Sequence, residues 1–328
     1  MKVLLTGADG FLGSNITREL LAQGYEVRAF HTPHRQTLTL EGLPIERFEG
    51  DLLYEADLDA AILGCDAVIH AAASTSVWPS RNPNSHLINV IGTQRIIDIV
   101  LKHKVKRLVY VGTANSFGFG SKEHPGNEQK PYTCGKYHLD YMDSKYEAQQ
   151  LVLKATKELG LPAIVVNPCF MFGPYDSAPG PGAMIVSVSK NQIPGYTQGG
   201  RNYAYVKDVA GAIVNALTLG RIGECYILGN SNLSYAQIFE LIAEQTHSKK
   251  IDLRIPAIFA KTYGMLNSVL SSITGKKPKV TYPLARIACD EHYYSSAKAI
   301  NELKLKQSSI PAAVQESYNW MKTNGRLN

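Results

Sequence analysis

A phenol and an ammonium four residues apart on a helix share one face and can act as an acid–base pair. A free phenol has a pKa of about 10 and is a poor proton donor at neutral pH. A neighbouring cation stabilises the phenolate and brings the group toward the working range. The sequence holds five Tyr-x-x-x-Lys matches, beginning at Tyr132, Tyr141, Tyr203, Tyr294 and Tyr318, so the spacing alone selects nothing. Context selects Tyr141 and Lys145, which lie in a long helical segment, 136–159, between two apolar strands. Tyr132 follows Pro131 and has Gly135 before its lysine, a poor helix, and the other three lie in the second half of the chain.

A second chemical signal stands at the start of the chain. Thr6-Gly7-Ala8-Asp9-Gly10-Phe11-Leu12-Gly13 places glycines at GxxGxxG directly after a short apolar strand, Lys2–Thr6, and opens a helix over 10–23. Glycine allows a tight turn and close approach of backbone to a pyrophosphate, and the free N–H groups of the helix start attract the anion.

Elements must carry these residues. Strands are expected at 26–30, 45–49, 67–71, 107–112 and 163–167, with a helix at 84–101. Regular alternation predicts an α/β fold, a Rossmann-type doubly wound parallel sheet with a smaller α+β substrate lobe. Residues 1–168 form the dinucleotide-binding domain, and about 201–228 return to its sheet. Residues 169–328 are mostly the substrate-binding lobe, interleaved with the first. Ser234 and Gln237 form a capping-box pattern, and 257–274 reads as an amphipathic helix packed on the second lobe.

The chain has 328 residues and a formal net charge of +6, without a long basic run. The cluster 102–107 reads as a solvated helix end, so no nucleic-acid partner is expected. Cys65, Cys134, Cys169, Cys225 and Cys289 are scattered, odd in number and without metal-ligand spacing. A reducing, cytoplasmic setting without disulfides or metal is expected. No segment reads as a confident membrane span, and no membrane partner is expected. The 84–101 and 136–159 helices are the candidate surface for a homodimer.

Several further motifs follow in order. Gly50-Asp51-Leu52 follows the third strand, and Val68-Ile69-His70-Ala71-Ala72-Ala73 covers the fourth. Asn89-Val90-Ile91-Gly92-Thr93 lies in the next helix. With the glycine spacing they resemble the extended short-chain dehydrogenase/reductase family, of the dihydroflavonol-4-reductase-like and NAD-dependent epimerase-dehydratase type. The resemblance implies that Asp51 contacts adenine, with Leu52 beside it, and that Ala71, Ala72 and Ala73 run under the cofactor. It implies that Tyr141 and Lys145 are catalytic, with Lys145 also holding the nicotinamide ribose. The third catalytic position falls on Thr113, with Ser116 the alternative if the turn is displaced. Pro168 and Phe170 would close over the nicotinamide. Ser74, Thr75, Asn115, Met171 and Arg201 are candidate substrate contacts, and Cys169 reads as a packing residue.

Cofactor choice turns on the end of the second strand, where an acidic residue would bind the ribose hydroxyl of NAD. The segment 27–35 has none and offers His31, Thr32, His34 and Arg35 to a 2′-phosphate. NADP is therefore expected, with NAD the second choice. The C-terminal pattern around 294–303 and the 256–275 segment resemble dihydroflavonol-reductase-like proteins, which implies carbonyl reduction of a small molecule. Arg201 pulls toward a nucleotide-sugar epimerase or dehydratase, and a cofactor-binding regulator without turnover is a third reading.

Overall fold

The computed structural model describes residues 1–33, 37–178 and 180–327. In the first half the chain runs β1 (Lys2–Thr6), α1 (Phe11–Ala22), β2 (Glu26–His31), β3 (Glu46–Glu49), α2 (Glu55–Ile62) and β4 (Ala67–His70). It continues with α3 (Pro83–His86), a π turn (Leu87–Ile91), α4 (Gly92–Lys102), β5 (Arg107–Val111), α5 (Asp140–Leu159) and β6 (Ala163–Pro168). The second half adds β7 (Phe170–Phe172), α6 (Ala183–Ser189), β8 (Gly200–Tyr205), α7 (Val206–Asn215), β9 (Cys225–Leu228) and β10 (Ser231–Ser234). It ends with α8 (Tyr235–Thr246), α9 (Ala257–Thr274), α10 (Tyr282–Ile287), β11 (Glu291–His292), α11 (Ala297–Glu302) and α12 (Ile310–Thr323).

Strands rich in Val, Ile and Leu on both faces need cover on both sides, and they obtain it. The main sheet has the order β3-β2-β1-β4-β5-β6-β9, with every pair parallel. One apolar cluster packs α1 and α7 on one face. The other packs α2, α4 and α5 on the opposite face. The order reverses between β1 and β4, so a crevice opens at their carboxyl ends, where doubly wound sheets bind ligands.

A second, four-stranded sheet joins β10, β8 and β11, with β7 paired to β8. It packs on α8 and α12 around Phe172, Tyr203 and Phe239. Ser234 caps α8 through the reciprocal box with Gln237. Residues 201–205 belong to this second sheet, and the chain rejoins the main one at β9.

Three local expectations differ from the structure. The 84–101 helix is interrupted by the π turn at Leu87–Ile91. The 136–159 helix starts at Asp140, because Cys134–Tyr137 is a 3-10 turn and His138 takes a left-handed φ of 55°. Helix α9 has the expected bounds, yet its sole buried residue is Gly264. Its apolar side faces solvent rather than the second lobe.

Candidate active site

The glycine turn is built by close contact. Gly7 has a φ of +69°, and a Cβ there would lie 2.8 Å from backbone atoms of Ala72. A Cβ on Gly13 would lie 2.0 Å from the Gly7 carbonyl oxygen. Gly10 caps α1 without a side-chain bond, so Phe11, Leu12 and Gly13 start the helix with free N–H groups facing the turn. A pyrophosphate suits this cradle because side chains would fill it.

On one side of the cradle, β4 ends in a fixed histidine. His70 Nδ1 lies 2.7 Å from Thr6 Oγ1, and Nε2 lies 3.2 Å from Thr93 Oγ1. The Thr93 hydroxyl donates to the Asn89 carbonyl, so it accepts from Nε2–H, and Nδ1 accepts from Thr6. Burial, helped by the charge of Lys145, pushes the imidazole down to about 3 and keeps it neutral. The Ala72 N–H donates to Thr6 Oγ1, which holds the 71–73 backbone along the turn. Leu52 packs against Gly92, where a Cβ would come within 2.6 Å of its side chain. Asp51 is exposed and accepts from the Leu53 N–H.

The catalytic candidates meet at the end of β5. Tyr141 sits in the first turn of α5, where the positive end of the helix favours a phenolate. Burial holds its pKa above the usual value for a phenol, and the nearby Thr113 side chain and the charge of Arg201 only partly offset this. Lys145 lies one turn further along α5. Its Nζ donates to the Val111 carbonyl at 2.7 Å and sits 4.5 Å over the Tyr110 ring. Burial lowers its pKa to about 7. Ser116 is buried with its hydroxyl unpartnered among the described residues, whereas the Thr113 side chain stands beside the Tyr141 phenol. Geometry thus favours Thr113.

The other Tyr-x-x-x-Lys matches are occupied elsewhere. Tyr132 donates to Asp143 Oδ1 at 2.6 Å, and its Lys136 pairs with Asp290 at 2.7 Å. Tyr203 is buried in the second core, with Lys207 paired to Glu316. Tyr294 is buried, and its Lys298 pairs with Glu224. Tyr318 packs at the edge of the second core.

Further polar residues brace the centre. Asn167 Nδ2 donates to the Thr113 carbonyl at 3.0 Å and to Gln149 Oε1 at 2.7 Å, joining β6, α5 and the catalytic strand end. Asn89 Nδ2 donates to the Ser74 carbonyl and to Ser144 Oγ, tying the loop after β4 to α5. A buried cluster of Tyr137, Asp290 and His292 lies alongside. Asn89 lies in a motif quoted from the sequence, whereas Gln149, a lone amide inside a helix, carries no spacing signature and had no sequence signal.

Other candidates sit around this centre. Arg201 on β8 donates from Nε to the Tyr235 hydroxyl at 2.8 Å and stands 5.2 Å from the Phe170 ring centre. Pro168 ends β6, and Met171 packs against the main core from β7. The Ser74 N–H donates to Asn89 Oδ1, Thr75 is exposed, and the Asn115 N–H donates to Thr113 Oγ1 at 3.3 Å. His31 ends β2, buried, with Nε2 unpartnered among the described residues. His34 and Arg35 lie outside the described residues. Burial raises the Cys169 thiol far above its usual range, as fits a packing residue.

Comparison with known proteins agrees with this geometry. The NAD dependent epimerase/dehydratase family model matches residues 3–229. A putative dihydroflavonol 4-reductase of Synechocystis sp. is 31% identical, covering 98% of this chain and 94% of its own. Sterol demethylase protein B of Methylococcus capsulatus is 27% identical over the whole of both chains. The crystal structure of gox2253 superposes with a TM-score of 0.88 at 30% identity, covering 99% of each chain. The chain therefore belongs to the NAD-dependent epimerase/dehydratase family, within the extended short-chain dehydrogenases and reductases.

Proposed function

We propose that this chain is an NAD(P)-dependent oxidoreductase that reduces the ketone or aldehyde of a small organic molecule, with NADPH as the preferred donor. The single observation that carries the reading is the meeting of Thr113, Tyr141 and Lys145 at the end of β5, beside the glycine cradle. The neighbours named as reductases support it.

Gly7, Gly10 and Gly13 would hold the pyrophosphate and Asp51 the adenosine side, while Lys145 would hold the nicotinamide ribose. When bound, the reduced cofactor supplies a hydride to the carbonyl carbon. The Thr113 hydroxyl donates to the carbonyl oxygen and orients it. Tyr141 then delivers its phenolic proton to that oxygen as negative charge develops, leaving a phenolate. The Arg201 charge and the start of α5 favour the phenolate against the burial that opposes it. His31 would face the 2′-phosphate of NADPH from the end of β2.

Arg201 carries the second reading, a nucleotide-sugar epimerase or dehydratase, because a half-buried guanidinium suits a diphosphate. A panel of carbonyl compounds and sugar nucleotides, followed by loss of the reduced-nicotinamide absorbance, separates the two. The reductase reading expects stoichiometric NADPH consumption and a Michaelis constant within a few-fold of wild type in Arg201→Ala. No net consumption, with Arg201→Ala weakening a sugar nucleotide by roughly ten- to a hundredfold, would overturn it. A third reading, a regulator without turnover, requires that no carbonyl compound in the panel consume NADPH.

A further inference from the structure

Helix α9 is inside out. At 3.6 residues per turn, Ile258, Phe259, Leu266, Val269, Leu270 and Ile273 fall within an arc of roughly 120°, and each is between 55% and 76% exposed. The opposite side is small and polar, and this is the side that packs. Gly264 meets α10 so closely that a Cβ would lie 2.7 Å from Ala285 Cβ. Ser268 accepts from the Tyr282 N–H, and Ser271 accepts from Trp78 Nε1. An ordinary surface helix buries its apolar stripe and wets its polar one; α9 does the reverse. Patches of this kind on soluble proteins mark interaction sites.

Charge says what covers it. Between Leu253 and Cys289 there is no Asp or Glu, while Arg254, Lys261, Lys276, Lys277, Lys279 and Arg286 supply six cations. Take those six from the chain's 34 basic residues and the remainder balances its 28 acids. All of the net charge of +6 therefore surrounds this helix. Arg254 precedes α9, while Lys276, Lys277 and Lys279 follow its end at Gly275, and these four are exposed. A second copy seated face to face would oppose six cations with six cations, since a two-fold contact pairs a patch with itself. An apolar stripe rimmed by lysine and arginine fits an anionic bilayer, which accepts apolar side chains at its acyl boundary and cations at its headgroups. No helix among the described residues is long and apolar enough to cross a membrane, so the fitting geometry is a helix lying flat.

We propose that α9 docks this protein onto the surface of a membrane rich in anionic phospholipid. The inference stands apart from the proposed reaction.

The test uses the full-length chain with sedimented vesicles of phosphatidylcholine alone or with about one-third phosphatidylglycerol. Wild type should pellet with the anionic vesicles and stay in solution with the neutral ones. Lys276→Gln, Lys277→Gln and Lys279→Gln together should weaken anionic binding by roughly a hundredfold, from about fivefold per lysine at a membrane surface. Phe259→Ser, Leu266→Ser and Ile273→Ser together should abolish it. Their melting temperature should hold within a few degrees, because the replaced side chains are exposed. Wild type failing to pellet, or the serine variant pelleting as well as wild type, would overturn the proposal. So would a wild-type dimer that vesicles do not retain and the serine variant dissolves, which would assign the face to a second copy.

Discussion

Lys145 donates from Nζ to the Val111 carbonyl at 2.7 Å, at the last residue of β5. The bond fixes the amine at the residue two before Thr113, on the same strand end. The amine is buried and takes up a proton reluctantly, with its pKa down to about 7.

Stability should therefore depend on pH through this lysine. The unfolded group titrates at 10.5 and the folded one near 7. Between those values the unfolded chain holds a proton that the folded chain lacks, so raising the pH stabilises the fold. Lys145→Met removes this dependence. It should be more stable than wild type at pH 7, by on the order of 2 kcal/mol, and the gap should close toward pH 10. Denaturant unfolding of both proteins across that range measures the gap, and a constant gap would contradict the lowered pKa.

Tyr141→Phe removes the proposed proton donor and leaves the cradle intact. Turnover should fall by about a hundredfold or more, with cofactor affinity unchanged by fluorescence titration. Tyr132→Phe loses its bond to Asp143, so it should melt earlier by about 1 kcal/mol and keep turnover within a few-fold. If the Tyr132 variant is the inactive one, the acid has been misassigned.

His31 sets the expected preference for NADPH. Calorimetric titration should find NADPH bound more tightly than NADH by wild type. His31→Asp should reverse the ratio, because a carboxylate repels the 2′-phosphate and accepts from a free hydroxyl. A buried carboxylate also destabilises the fold, so the ratio of affinities is the readout. Equal affinities in wild type would remove His31 from the cofactor site.

Asn167 acts as a positioning residue. Asn167→Asp replaces its shared donor group with an acceptor facing the Thr113 carbonyl. Turnover should drop about tenfold or more, as misplacement near the reacting atoms does, while the Michaelis constant for cofactor stays near wild type. A parallel rise in both constants would instead indicate general loosening of the fold.

The alternation of apolar strands and helices made the main sheet legible, because strands buried on both faces leave continuous Val and Ile runs. Its glycine turn was equally plain. The second sheet was not: β7 has three residues and β11 two, and their pairing with β8 depends on contacts far apart in sequence. The start of α5 was hidden by His138, whose left-handed turn no local pattern announced. The sequence context placed Tyr141 and Lys145 on one long helix, but it did not announce the bond from Lys145 to the Val111 carbonyl. Spacing shows that two side chains share a face, and carbonyls from another strand decide where a donor goes. For α9, periodicity revealed an apolar stripe and said nothing about which way it would turn.

The crowding around Gly7 and Gly13 bears on how a cofactor-blind control should be made. A methyl group on Gly13 strikes the Gly7 carbonyl and would push α1 off the turn, and one on Gly7 strikes the backbone of Ala72 and would part the turn from the end of β4, in either case before any nucleotide arrived. Lost activity in a Gly13→Ala protein would report a displaced helix start. A faithful blank belongs at the rim of the crevice, where Asp51 stands exposed on its loop and a change there leaves the strands in place.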